Sequence, residues 1–475
     1  MSIHWLDLLV FALYLIGVLG IGFYFLNKNK SKDDYYVGGR KMSSVHVGLS
    51  VVATDVGGGF SIGLGGLGFI MGISGSWMLF TGLLGAWISA VLLIPKVYPI
   101  AKEKSFLTFP QALNHFYNFR VAYVAGIISL IGYIGFTSSQ ILAGAKLASA
   151  TFPVLTIQDA VLVMGVIAVV YTVVGGIKAV IYTDTIQWIL LMGGLILIGI
   201  PLGYTKIGGW EAISQSVQPE LLKLTNVSFV QLFNWLITIL PIWFVGMTLY
   251  QRIYACKDEK TAKKAWYIAG VFEWPLMAFM GVILGLFAKI AFEQGMFESI
   301  GYAAGTSIDP ELGLPLLLRT VLPVGLMGLM MSAYFSAIMS TADSCLMAAS
   351  GNFITDVMGG KNNKKSFNIR ISQLVTLIIG AVAIVLATFM ENVLELMLYS
   401  YAFMVSGLLV PVLGMIFIKK PSPVAALIAM ISGGFTTLVL IIISIDLPYG
   451  LDANFFGISL SAISFMFFQY LLKSK

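Results

Sequence analysis

Ala53-Thr54-Asp55-Val56-Gly57-Gly58-Gly59-Phe60 interrupts an apolar run that extends from about residue 45 to residue 69. A carboxylate stands inside a stretch long enough to cross a bilayer, where it is costly unless a cavity, a cation or a proton receives it. Three consecutive glycines follow, each less favourable in a helix than alanine by about 1 kcal/mol, so the run is predicted to unwind here. Non-helical backbone at membrane depth survives only beside a cavity. Its bare carbonyls and helix ends suit a small cation and an organic solute bound near the midplane.

The rest of the chain supplies the membrane setting. Of 475 residues, 58% are hydrophobic and 11% charged, with a mean hydropathy of +0.92, far from the balance of a water-soluble domain. The apolar residues fall into runs of roughly 20, each about the length that crosses a ~30 Å hydrocarbon core. Thirteen spans are predicted, at about 5–26, 45–69, 75–99, 121–150, 157–174, 180–203, 229–250, 266–292, 315–350, 371–390, 392–418, 423–445 and 453–472. The expected fold class is an all-α membrane protein forming a single integral domain over 1–475. The first span lacks a basic leader and a small-residue cleavage site, and is read as a retained helix.

The net charge of +6 is a matter of topology. About 23 of the 28 lysines and arginines gather in alternate connections: Lys28 to Lys41, Lys96 to Arg120, Lys178, Arg252 to Lys264, Lys361 to Arg370, Lys419-Lys420 and the tail. By the positive-inside rule these face the cytoplasm of a plasma (inner) membrane, with the N-terminus outside and the C-terminus inside. The basic residues are therefore not read as a nucleic-acid surface. The lipid bilayer is the expected surrounding, and no signal for an oligomeric state is visible.

Gly63-Leu64-Gly65-Gly66-Leu67-Gly68 satisfies the dinucleotide pattern letter by letter, but no strand precedes it and no acidic residue follows at the required spacing. With 50 glycines in the chain, close helix packing through small residues, including the Gly59/Gly63 pair, is the expected role. Cys256 and Cys345 match no metal spacing. His4, His46 and His115 are too scattered for a metal cluster or a hydrolytic triad. The chain is expected not to be an enzyme.

Asp55, Asp184, Glu273 and Asp343 are the main acids inside apolar spans. The ninth span carries Ser336-Ala337-Ile338-Met339-Ser340-Thr341-Ala342-Asp343-Ser344, in which Ser340, Thr341 and Ser344 share one helix face. Hydroxyls and carbonyls suit a hard cation such as Na⁺; the alternative is that these hydroxyls bond back to their own helix or join neighbours. Asp184, which follows Gly175-Gly176 and Lys178, reads either as a site carboxylate or as a helix N-cap.

At these segments the chain resembles the sodium:solute symporter family, whose members include proline, pantothenate, sialic-acid, glucose and choline transporters. Four matches carry the likeness: Ala53 to Gly59, Gly175-Gly176 with Tyr182-Thr183-Asp184 and Gln187, Tyr250-Gln251-Arg252, and Ala337 to Ser344. The resemblance implies a leucine-transporter-type fold, with inverted five-helix repeats over 45–203 and 229–418, an extra N-terminal helix at 5–26 and C-terminal helices over 423–472. It implies a main sodium site at Ala53, Val56, Ala337, Ser340 and Thr341. A second sodium or proton site is implied at Asp184 and Ser344, with Asp343 adding a carboxylate. The solute is expected beside Asp55, Gly57, Gly58, Phe60, Phe136, Gln140 and Trp243. Asp55 and Gly246 replace tryptophans that a quaternary-ammonium cage would need, which favours a hydrogen-bonding solute. The expected function is sodium-coupled symport of a small polar organic solute by alternating access. Proton coupling through Asp55, Asp184 and Asp343, and a transporter-like solute sensor, are the alternatives.

Overall fold

A computed structural model of the chain describes residues 4–26, 32–55, 58–152, 154–174, 177–359 and 369–473. Among these there is no strand, only an isolated bridge between Met42 and Cys256. The helices run in the order α1 (Trp5–Leu26), α2 (Lys32–Val37), α3 (Ser44–Asp55), α4 (Gly58–Met71), α5 (Trp77–Leu92), α6 (Ile94–Lys104), α7 (Phe109–Phe116), α8 (Phe119–Thr151), α9 (Ile157–Val174), α10 (Ile177–Gly194) and α11 (Ile200–Lys206). They continue as α12 (Gly209–Ser216), α13 (Phe229–Val245), α14 (Met247–Ala255), α15 (Glu259–Phe272), α16 (Phe279–Glu293), α17 (Pro310–Val321), α18 (Leu326–Asn352), α19 (Ile369–Ala387), α20 (Val393–Phe417), α21 (Pro423–Ile443) and α22 (Ala453–Lys473).

Eight of the described helical stretches are long and apolar enough to cross a membrane, and nine if α13 and α14, bent by 44° at Gly246, count as one broken span. The expected thirteen are not reached on this measure. The described apolar parts of α1, α3 and α9 are shorter, while α18 is long enough but rich in hydroxyls.

The expected ninth span, 315–350, is two helices. Pro323, which has no N–H to donate, and Gly325, at φ +84°, separate α17 from α18. The new N-terminus of α18 is capped from outside its own segment: the Asp7 carboxylate of α1 accepts the Gly325 and Gly328 N–H groups, each at 2.7 Å. A carboxylate at that end also meets the positive pole of the helix dipole.

Helix α8 forms the centre of the bundle and packs against α9, α18 and α20. The glycines of the false nucleotide motif set how closely α4 is approached. A methyl group at Gly68 would overlap the Val282 backbone of α16, and one at Gly65 would press into Leu314 of α17. Their role is close packing, as the composition suggested. Helices α21 and α22 pack on each other, and much of their remaining surface is exposed apolar side chain.

Candidate functional site

Helix α3 ends at Asp55 and helix resumes at Gly58. Val56 and Gly57 lie outside the described residues, as do the side chains of Asp55 and Phe60. Ala53 belongs to the last turn of α3, where carbonyls lack an intrahelical partner and the dipole is negative. The Thr341 hydroxyl of α18 lies 3.0 Å from the Ala53 carbonyl and 3.1 Å from the carbonyl of Ala337, one turn back on its own helix. One hydroxyl has one proton, so it serves only one of the two carbonyls at a time. Three hard oxygens from two helices therefore converge.

A small cavity opens beside this point, lined by Ala53, Ala337 and Ser340 together with Asp184, Gln187, Trp188, Leu191 and Met277. Gln187 donates its Nε2–H to Ser336 at 2.9 Å, leaving its buried Oε1 without a partner. The cavity thus combines apolar walls with a carboxylate, an amide oxygen and a hydroxyl.

Asp184 is a full turn or more inside α10, so it does not cap that helix. Its Oδ1 accepts from the Ser340 hydroxyl and its Oδ2 from the Ser50 hydroxyl of α3. Arg252 of α14 approaches Oδ2 at 3.3 Å. The guanidinium also donates to Ser50 at 3.0 Å, Thr54 at 2.5 Å, Ser344 at 3.1 Å and the Thr248 carbonyl at 3.2 Å. Arg252 is 0% exposed. It belongs to helix α14 and not to the connection that follows, and inside the bundle five acceptors hold its charge. Ser340, Thr341 and Ser344 do share a face, and that face meets α3, α10 and α14.

Asp343 has a different partner. Its Oδ1 accepts from Thr172 of α9 at 2.5 Å, and its buried Oδ2 has no hydrogen-bond partner. Arg252 balances Asp184, and no basic side chain pairs with Asp343 among the described residues. Glu273 is buried against Gly82 at the start of a π-turn joining α15 to α16.

The expected solute wall divides. Phe136 of α8 meets Tyr401 of α20 edge-on at 5.1 Å, and Gln140, one turn along, reaches the Met397 sulfur at 3.6 Å. Trp243 of α13 instead packs on Gly85 of α5 and meets Trp266 of α15 at 6.2 Å. Tyr133 of α8 joins that wall unannounced by the sequence: its hydroxyl accepts the Thr248 N–H at 3.1 Å, in the first turn of α14 just beyond the Gly246 bend.

Ser50, Thr54, Thr172 and the structural part played by Arg252 were missed by sequence reasoning. The available signal was an arginine only two residues beyond the expected end of an apolar span, together with hydroxyls at a helical spacing in α3 (Ser50 and Thr54).

The family model "Sodium:solute symporter family" matches residues 35–433. The high-affinity proline transporter of Bacillus subtilis is 27% identical over 438 residues, 89% of this chain and 89% of that protein. The sodium/proline symporter of Escherichia coli is 27% identical over 447 residues, covering 91% and 87%. The sodium/myo-inositol cotransporter of Mus musculus is 30% identical over 402 residues, covering 74% and 54%. Among solved structures, a Na⁺-coupled sialic acid symporter in a substrate-bound outward-open state superposes with a TM-score of 0.79 at 21% identity, covering 98% of both chains. A nucleobase-cation-symport-1 family transporter in a closed conformation gives 0.59 at 12% identity, covering 94% and 96%.

Proposed function

The chain belongs to the sodium:solute symporter family, and from that premise we propose where it holds the ion and the solute. It is a multi-pass sodium-coupled symporter with a leucine-transporter-type fold, and its relatives are transporters rather than enzymes.

Na⁺ binds between α3 and α18, at the carbonyls of Ala53, Val56 and Ala337 and the hydroxyls of Ser340 and Thr341. The single observation that carries this reading is the Thr341 hydroxyl set between the Ala53 and Ala337 carbonyls of two different helices. A second cation position comprises Asp184, Asp343 and Ser344, and the partnerless Asp343 oxygen supports it. The solute lies beside the broken stretch, against Asp55, Gly57, Gly58 and Phe60, with Phe136 and Gln140 opposite; Trp243 braces that wall from behind through α5 and α15.

The two repeats occupy 45–203 and 229–418. In support, each begins with an interrupted helix: α3 and α4 in the first, α13 and α14 in the second. The protein lies in the lipid bilayer of the plasma (inner) membrane, N-terminus outside and C-terminus cytoplasmic, as the basic connections favour.

In the transport cycle Na⁺ completes the coordination of the Ala53 carbonyl, ties α3 to α18 and orders the broken stretch, so the solute meets a formed site. Coupling is reciprocal: the solute raises Na⁺ affinity by the same factor. A thermal-shift screen of the purified protein with and without Na⁺ tests the solute class. Proline leads the panel because the relatives matched over most of this chain are proline transporters; myo-inositol, glucose and sialic acid follow. The hit should stabilise more strongly with Na⁺ present, and a sodium gradient should drive its uptake into proteoliposomes. Uptake driven by a pH gradient alone, with no sodium requirement, would contradict the reading.

A further inference from the structure

A second cavity lies on the basic side of the molecule and shares no wall residue with the one beside Asp184. Its walls are Arg40, in the turn Gly38–Arg40 that precedes α3; Tyr98, Ala101 and Lys102 of α6; Tyr254 in the last turn of α14; and Lys257 in the link to α15. The walls are stitched together by backbone and phenol contacts. Met42 N–H donates to the Ala255 carbonyl at 3.0 Å, and the Tyr98 hydroxyl donates to the Cys256 carbonyl at 2.9 Å.

Two features distinguish this place from an ordinary basic surface. Tyr254 is 2% exposed, and its hydroxyl is a buried group without a hydrogen-bond partner. Such a group is rare in a folded protein and calls for a ligand or an ordered water. At the rim, Lys102 and Lys257 form no ion pair among the described residues; Lys102 reaches only the Lys257 carbonyl, at 3.5 Å.

The neighbouring acids have partners of their own, and the Asp258 carboxylate also feels the charges of Lys257 and Lys102. Asp33 takes Arg40 at 2.7 Å, Asp258 caps α15 by accepting the Thr261 N–H at 2.7 Å, and Glu259 pairs with Lys263 at 2.7 Å. Arg40 spends one further N–H on the Phe106 carbonyl at 2.8 Å. Two ammonium groups without an ion pair belong to the rim, and the idle hydroxyl belongs to a residue that lines the same space.

We propose that this cavity binds a phosphate group, with Tyr254 donating from the floor and Lys102 and Lys257 from the rim. A tetrahedral anion has enough acceptor oxygens to serve all three at once, and lysines bind it as point charges. The group comes either from free phosphate or from the headgroup of an anionic lipid. Because α6, α14, the link to α15 and the turn before α3 all contribute, the bound anion favours whichever transport state keeps those elements together.

Differential acetylation of lysines, read by mass spectrometry on the full-length protein, tests the proposal. In detergent, phosphate should protect Lys102 and Lys257 relative to Lys263, beyond acetate and chloride at matched ionic strength. If the headgroup is the source, protection appears instead on reconstitution into phosphatidylcholine vesicles containing phosphatidylglycerol, and not into phosphatidylcholine alone. Tyr254→Phe should weaken the protecting anion roughly tenfold by removing one hydrogen bond to a charged group, with Na⁺-dependent stabilisation by solute retained. Equal protection by acetate, absence of protection in both settings, or an unchanged effect in Tyr254→Phe would overturn it.

Discussion

Two buried ionic clusters in this molecule have similar ingredients and opposite states of completion. At one end of α8, Lys146 is 1% exposed and contacts Asp309 at 2.5 Å and Glu311 at 2.7 Å. Glu311 also accepts the Val393 and Leu394 N–H groups at 2.9 and 3.0 Å, so it caps α20 from α17, while Asp309 accepts the Glu311 N–H at 3.0 Å. In the other cluster Asp184 is fully engaged by Arg252, Ser50 and Ser340, but the Asp343 Oδ2 and the Gln187 Oε1 have no partner, and one Thr341 proton faces two carbonyls. A saturated network acts as a fastener, because every group in it would lose a bond if another were removed. An unsaturated one beside a cavity is where a cation gains most.

That contrast makes the largest predicted effect a structural one. Glu311→Ala leaves Lys146 partly unpaired and exposes the first turn of α20, and breaking a buried pair costs about 3–5 kcal/mol. A clear loss of folded protein in a detergent melting assay is expected; near wild-type melting would show that the first cluster is no fastener. Asp7→Ala should cost less, about 1–2 kcal/mol for a lost cap. It sharpens the comparison because the cap supports the helix that carries Ser340 and Thr341. Melting should fall modestly, and an unchanged melting temperature would remove α1 from the support of α18.

Asp343→Asn works in the other direction. It removes a buried, half-satisfied carboxylate while keeping its shape, so stability should hold or rise. The steepness of Na⁺ activation should fall if the carboxylate receives a second cation. A destabilised protein with unaltered Na⁺ steepness would place Asp343 among the fasteners.

Much of this contrast was legible in the sequence, and the reason is local. Asp55 with its glycines, the Ser340, Thr341 and Ser344 face, and the intramembrane acids all announce themselves as polar groups in apolar runs. Family and fold followed from them. The fasteners were not legible, because Lys146 with Glu311, Asp7 with Gly325, and Arg252 with Asp184 pair across long stretches of chain, and each looks alone like a residue at a span end. The surroundings of Trp243 were not legible either, because its contacts with Gly85 and Trp266 join α13 to α5 and α15 across long stretches of chain. The break between α17 and α18 did carry a signal, in Pro323 and Gly325, that the apolar pattern overrode.

The central claim is that Na⁺ is held between α3 and α18 by the oxygens around Thr341. Its most direct measurement is the Na⁺ dependence of solute uptake into proteoliposomes for Ser340→Ala and Thr341→Ala beside the unaltered protein. Loss of one oxygen ligand should cost about 1–2 kcal/mol, or roughly five- to thirtyfold in half-saturating Na⁺, with the melting of Thr341→Ala little changed. Unaltered Na⁺ activation in both variants would contradict the account.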